Sequence, residues 1–258
     1  KLKQEFFSKE YSLNLQINNF PKPYLSIWQG VVMGGGVGLS IYGDYRIATD
    51  STKFAMPETS IGFFPDVGGS FFLARLENNL GKYLGLTGEI VQGKDLLNFN
   101  LATHYCPENK INNLISQFIT DGSITNYEIE NSSFFTDEKI DFIDKNFSGD
   151  IHEIFSNIQN ISNQDSLLQK LQKKCPMSLA VTTLLIKDSN NRSLKNCLEI
   201  EYRLSQKMTN RNDFGEGIQA VLIEKHHNPK WQPKTIDEIN NTELDKLFNQ
   251  TIDNELKL

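Results

Sequence analysis

The chain has 258 residues, 38% hydrophobic and 22% charged, enough to bury the core of one domain with an appendage. A net charge of −6 argues against a nucleic-acid partner held by charge. Three scattered cysteines, Cys106, Cys175 and Cys197, form no CxxC pair. They argue against a disulfide scaffold and read as reduced, buried thiols of an intracellular protein.

The first residues, KLKQEFFSKEY, already carry a helical pattern, with Phe7, Tyr11 and Leu15 at i, i+4 and i+8. There is no initiator methionine and no targeting segment, which suggests a fragment or a processed chain. Residues 24–32 (YLSIWQGVV) predict a buried strand, and 36–42 the start of a helix. Strands are expected at 45–49 and 53–56, and helices at 69–76 and 80–86. Short strands alternating with helices indicate an α/β layer fold through residue 106. The stretch 121–150 holds eight acidic residues against two lysines and reads as a solvated linker or insertion within a variable, partly acidic helical/linker region, 107–174. The remainder, 175–258, reads as helical. Apolar residues at 194, 197, 198, 202 and 204 mark one helix and 213–226 another, which Asn228-Pro229 stops.

The glycine cluster MGGGVGLS at residues 33–40 invites three readings. A dinucleotide loop fails on spacing, because the third glycine of GxGxxG falls on Leu39 or Ile41. A phosphate loop at Gly81-Lys82 fails as well, with Leu76 and Tyr83 in place of the required glycine and Ser or Thr. A membrane helix over the uncharged residues 24–43 would have to carry six glycines, each costing about 0.8–1 kcal/mol in a helix interior. The third reading is an oxyanion site. Glycine lets a ligand approach bare backbone, and successive N–H groups at a helix start face a developing negative charge. A tight strand–helix packing turn explains the spacing about as well.

Downstream, AMPETSIGFFPDVGGS at residues 55–70 sets Glu58 and Asp66 among Met56, Ile61, Phe63, Phe64 and Val67, with a proline before each acid. Apolar surroundings raise a carboxyl pKa toward neutrality, which suits general acid/base chemistry. Asp66, just ahead of Gly68-Gly69 and an apolar run, could equally be a helix N-cap. Glu58 is harder to explain structurally.

The block from Lys22 to Leu76 resembles the crotonase (enoyl-CoA hydratase/isomerase) superfamily, and EYRLSQ at 201–206 with NDFGEGIQAVLIEKHHNPKWQP at 212–233 is similar to the CoA-thioester hydrolases within it. The resemblance spans nearly the whole chain and is weakest over 107–174. It implies an α/β, crotonase-type spiral of ββα turns, with its N-terminal portion ahead of Lys1, followed by a helical C-terminal region. It implies an acyl-CoA substrate whose thioester oxygen is held by two backbone N–H groups. One would come from Gly35, the other from a segment ahead of Lys1. Hydratases of this superfamily carry a glutamate two residues past the GGG, where this chain has Gly38, and usually glycine where it has Asp66. The resemblance assigns Glu58 and Asp66 as catalytic and Gly34, Gly35 and Glu10 as substrate-binding, with Glu58 either activating water or attacking directly. It implies no metal and no cofactor beyond the CoA of the substrate, no membrane partner, and room for a homo-oligomer. Its pathway, valine breakdown, points to the mitochondrial matrix, with the peroxisome as the other compartment. Two alternatives stay open: a hydratase or isomerase of the same fold, and a non-catalytic crotonase-like protein. His104, His152, His226 and His227 lack metal-ligand spacing.

Overall fold

The computed structural model describes residues 2–129, 133–161 and 165–258. Helix α1 (Leu2–Asn18) opens the chain and buries Phe7, Tyr11, Asn14 and Ile17 along one stripe. The predicted strand at 24–32 is two strands, β1 (Leu25–Trp28) and β2 (Val31–Met33). Gly30, at φ 76°, breaks the run and sends the two halves into different sheets. Helix α2 (Gly35–Gly38) completes a first ββα turn. Strands β3 (Tyr45–Ala48) and β4 (Lys53–Ala55), with α3 (Gly69–Leu73) and α4 (Leu80–Thr87), make the second.

The two turns stack. Strand β3 pairs parallel with β1, Leu25 opposite Tyr45 and Trp28 opposite Ala48, while β4 pairs parallel with β2, Val31 opposite Lys53. After α5 (Lys94–Asn98), the short β5 (His104–Tyr105) extends the first sheet to the order β1-β3-β5. This is the spiral of ββα turns that the family resemblance implies, built on the α/β alternation read from the sequence. Parallel strands joined by helical connections bury both faces, so the strands read as apolar runs without alternation.

The rest is helical: α6 (Ile111–Asp121), α7 (Asp137–Asn146), α8 (Ile151–Gln159), α9 (Asp165–Gln172), α10 (Pro176–Ser189), α11 (Leu194–Met208), α12 (Asn212–Gly217) and α13 (Asn241–Asn249). The acidic stretch 121–150 is not all linker. Thr136 caps α7, Asp150 and Glu153 form a capping box on α8, and Ile143 and Phe147 are fully buried beneath them. Residues 130–132 of that stretch lie outside the described residues. The helix predicted over 213–226 is α12 followed by one π-helical segment, Ile218–Ile223. All three cysteines are buried and free. Among the described residues no helix is long and apolar enough to cross a membrane.

Two kinds of contact place the loop that carries Glu58 and Asp66. Phe63 stacks on Phe7 of α1 at 5.7 Å and on Phe64 at 4.5 Å, and tilts against Phe214 of α12 at 5.5 Å. Burying each ring contributes roughly 1.5–3 kcal/mol. Backbone also meets backbone. A Cβ at Gly62 would stand 2.5 Å from the Asp213 carbonyl oxygen, and one at Gly217 would stand 2.4 Å from the Ile61 carbonyl carbon. Glycine at these two positions lets α12 lie directly on the loop that carries Glu58.

Candidate active site

Pro57 leads into a 3-10 turn, Glu58–Ile61, that ends at Gly62 in the left-handed conformation (φ 72°). The turn is tied from both sides. The Cys175 N–H donates to the Thr59 carbonyl at 3.0 Å, and the Thr59 hydroxyl donates to the Leu86 carbonyl at 3.2 Å. Glu58 is thereby held 6% exposed on the wall of a cavity of about 850 Å³, shared with Met33, Gly34, Ser60, Lys170 and Lys174. Its Oε2 has no hydrogen-bond partner among the described residues. Desolvation pushes the Glu58 pKa up to about 8, drawn partly back by its own backbone N–H and by Lys174. An uncompensated carboxyl beside an open cavity is costly to keep for structure alone.

The glycine cluster faces this acid. Gly34 takes φ 52°, ψ −127°, a conformation open to glycine, and ends the strand just where α2 begins. A Cβ at Gly34 would lie 3.9 Å from Glu58 Oε1, and one at Gly35 would lie 3.2 Å from Glu10 Oε1. Glu10 therefore points from α1 at the start of α2, and half-burial raises its pKa. The first N–H groups of a helix have no acceptor inside it. At Gly35, beside Glu10 and next to the glycine that faces Glu58, that donor has no side chain of its own in the way.

Asp66 is 7% exposed and accepts a hydrogen bond from the Tyr11 hydroxyl at 2.8 Å. Desolvation first, then the charges of Glu58, Glu201 and Glu10, hold it well above the usual carboxylate range. Its side chain does not cap α3. Gly68 is the N-cap residue, and the acid that accepts from that helix start is Glu201 of α11. The structure thus gathers Glu10, Gly34, Gly35, Glu58 and Asp66 around one centre. Gly34 and Glu58 line the cavity, and the other three do not.

Four further side chains near these residues have no site role in the sequence reading. Tyr11 belongs to the apolar stripe of α1, yet its hydroxyl meets Asp66. Asn14, on the same stripe, is fully buried with neither amide atom bonded among the described residues. Lys174, half-buried in the turn between α9 and α10, donates to Ser60 Oγ at 2.6 Å, and desolvation followed by Lys170 repulsion lowers its pKa to about 8. Glu201 has a legible signal: it falls three and four residues after Leu198 and Cys197, on the buried side of α11. The Lys225 and Lys230 side chains are exposed, and Trp231 is buried with its indole N–H on the Lys173 carbonyl. Among the described residues no group of three His, Cys, Asp or Glu side chains could hold a metal ion.

A model of the enoyl-CoA hydratase/isomerase family matches residues 1–248. The chain is similar to the mitochondrial 3-hydroxyisobutyryl-CoA hydrolase of Danio rerio, 39% identical over all of this chain and 72% of that protein. It is 37% identical to the protein of that name in Homo sapiens, over all of this chain and 71% of that one. Among solved structures it is similar to a carnitinyl-CoA dehydratase from Mycobacterium thermoresistibile, with TM-score 0.89 and 34% identity over 98% of this chain and 75% of that one. It is also similar to an enoyl-CoA hydratase from Rhodobacter sphaeroides 2.4.1, with TM-score 0.92 and 30% identity over 100% and 77%.

Proposed function

We propose that this chain, which belongs to the enoyl-CoA hydratase/isomerase family, is a CoA-thioester hydrolase that converts 3-hydroxyisobutyryl-CoA to 3-hydroxyisobutyrate and CoA in valine breakdown, in the mitochondrial matrix. The observation that carries the reading is Glu58: a buried carboxyl with a free oxygen, on a cavity wall beside the Gly34-Gly35 backbone.

The Gly35 N–H donates to the thioester oxygen as it gains charge. One such donor is worth about 3–4 kcal/mol in a transition state. The ionised Glu58 then takes a proton from water, and the water oxygen bonds to the acyl carbon. The C–S bond breaks, and CoA leaves as a thiolate that recovers the proton. In the covalent variant Glu58 Oε2 itself bonds to the acyl carbon, the thiolate leaves, and water cleaves the resulting anhydride. Both routes need the ionised acid, so turnover rises with pH toward the Glu58 pKa. Single turnover in H₂¹⁸O tests the covalent route, since label enters Glu58 only when water attacks the Glu58 carbonyl of that anhydride. Asp66, held by Tyr11, accepts the substrate's 3-hydroxyl, a group that needs a partner once desolvated. The chemistry calls for no cofactor, because CoA is part of the substrate.

A second reading, acyl-CoA hydration, is favoured by the solved relatives described as hydratase and dehydratase. Position 38 opposes it. A Cβ there would stand 2.8 Å from both Asn14 Nδ2 and Val67 Cβ, so the second glutamate of a hydratase has no space. Incubation with 3-hydroxyisobutyryl-CoA and, separately, crotonyl-CoA tests the choice. Free thiol from the first without hydration of the second supports the hydrolase; the reverse replaces it.

A further inference from the structure

The acid that ties the C-terminal helices to the site is Glu201, and neither the proposed chemistry nor the relatives' names give it a role. It is fully buried on α11, 131 and 133 positions away from the residues it meets. One carboxylate oxygen accepts the Gly68 N–H at 2.7 Å, and the other accepts the Ser70 N–H at 3.0 Å and the Ser70 hydroxyl at 2.5 Å. These bonds close a turn in an uncommon conformation. Val67 has φ 52°, rare for a β-branched residue, and Gly68 has φ 80°. No side chain fits at Gly68, because the Tyr42 hydroxyl would overlap it, and that hydroxyl donates to the Val67 carbonyl at 2.7 Å. Asp66 is the residue just before the turn. Its side chain is steered by Tyr11 and its backbone by Tyr42 and Glu201.

We propose that Glu201 is a positioning residue: it holds the Val67–Ser70 turn in its left-handed form and thereby aims Asp66 at the substrate. A bulky residue at φ 52° relaxes toward ordinary backbone unless its surroundings over-determine it. Three donors to one buried carboxylate supply that constraint, with charge-assisted hydrogen bonds about twice as strong as neutral ones. The proposal rests on the reading of Asp66 as a substrate-contacting residue.

The test is a double-mutant cycle of Glu201→Gln and Asp66→Asn in the full chain, with hydrogen exchange at the Gly68 and Ser70 amides. A glutamine keeps the shape but cannot accept all three donors, since its amide nitrogen would face one of them. Glu201→Gln is expected to lower kcat 10- to 100-fold with KM changed less than threefold, and to speed exchange at both amides at least tenfold. In Asp66→Asn background it should cost less than threefold more, because its effect runs through Asp66. Full multiplication of the two losses, or Glu201→Gln activity within twofold of the parent, overturns the proposal. If Glu201→Gln does not fold, Ser70→Ala removes one donor alone; it must show the same kcat loss in smaller measure and the same non-additivity, or the proposal falls. Near-normal turnover of Asp66→Asn refutes the role of Asp66, not the tie itself, which the exchange rates report separately.

Discussion

Replacing Glu58 with glutamine should destroy turnover and yet stabilise the fold, increasingly so as the pH rises. The folded pKa of about 8 stands against an ordinary value of 4.5, so between those limits the folded chain keeps a proton that the unfolded chain has released. The stability that this proton carries is whole below about pH 4.5 and is lost as pH climbs through about 8. A span of about 3.5 units at about 1.4 kcal/mol each sets a ceiling of about 5 kcal/mol. Glu58 borders a cavity rather than packed core, so the full ceiling does not apply, and the expected gain of Glu58→Gln over the parent is about 2–3 kcal/mol at pH 9 relative to pH 5. Relief of Asp66 adds to this gain, and the stranded charge of Lys174 subtracts from it. In a chain of this size each kcal/mol moves Tm by about 2–4 °C, so the variant's advantage should widen by about 4–12 °C. Scanning calorimetry of both proteins from pH 5 to 9 without CoA makes the comparison. A difference that does not grow with pH would refute the claim that burial holds Glu58 protonated.

Lys174→Met removes the cation whose charge lowers the Glu58 pKa, so the acid limb of the kcat/KM profile should move up by roughly one pH unit, with Lys174→Arg restoring it. Gly38→Glu should not create a hydratase. The new side chain collides with Asn14 and Val67 and should cost about 1–3 kcal/mol by urea denaturation, eased when combined with Asn14→Ala, with crotonyl-CoA hydration absent from both. Gly34→Ala forces an L-residue into φ 52°, ψ −127°, at a cost of about 1–3 kcal/mol, and swings the Gly35 N–H away from its acceptor. Its kcat should fall more than tenfold, and a normal kcat would remove the glycine backbone from the chemistry.

Much of the fold is legible locally, because the ββα turns are built from short apolar runs punctuated by glycine. The split of residues 24–32 at Gly30 is not, since an apolar stretch reads the same whether it stays in one sheet or crosses to another. The loop acids Glu58 and Asp66 can be picked out because carboxyls between prolines and phenylalanines conflict with their neighbours. Asp66 as an N-cap is the reading that local spacing suggests, and the actual acceptor at the start of α3 lies more than 130 residues downstream. Tyr11 and Lys174 are invisible for the same reason: their partners, Asp66 and Ser60, become neighbours only through the packing of α1 and of the turn between α9 and α10 on the loop. The FGEG segment is legible only once Gly217 and Gly62 are seen to bring two backbones together. Acid-rich 121–150 misleads because exposed charge masks the few buried residues, Phe135, Ile143 and Phe147, that anchor it.

Glu58 is proposed to drive hydrolysis of a CoA thioester, and its role decides the rest. That role is tested most directly by following free thiol from 3-hydroxyisobutyryl-CoA with the full chain and with Glu58→Gln, in parallel at pH 8. The parent should release thiol rapidly and the variant at least a thousandfold more slowly, with the substrate still bound. Thiol release of similar rate in both would contradict that role.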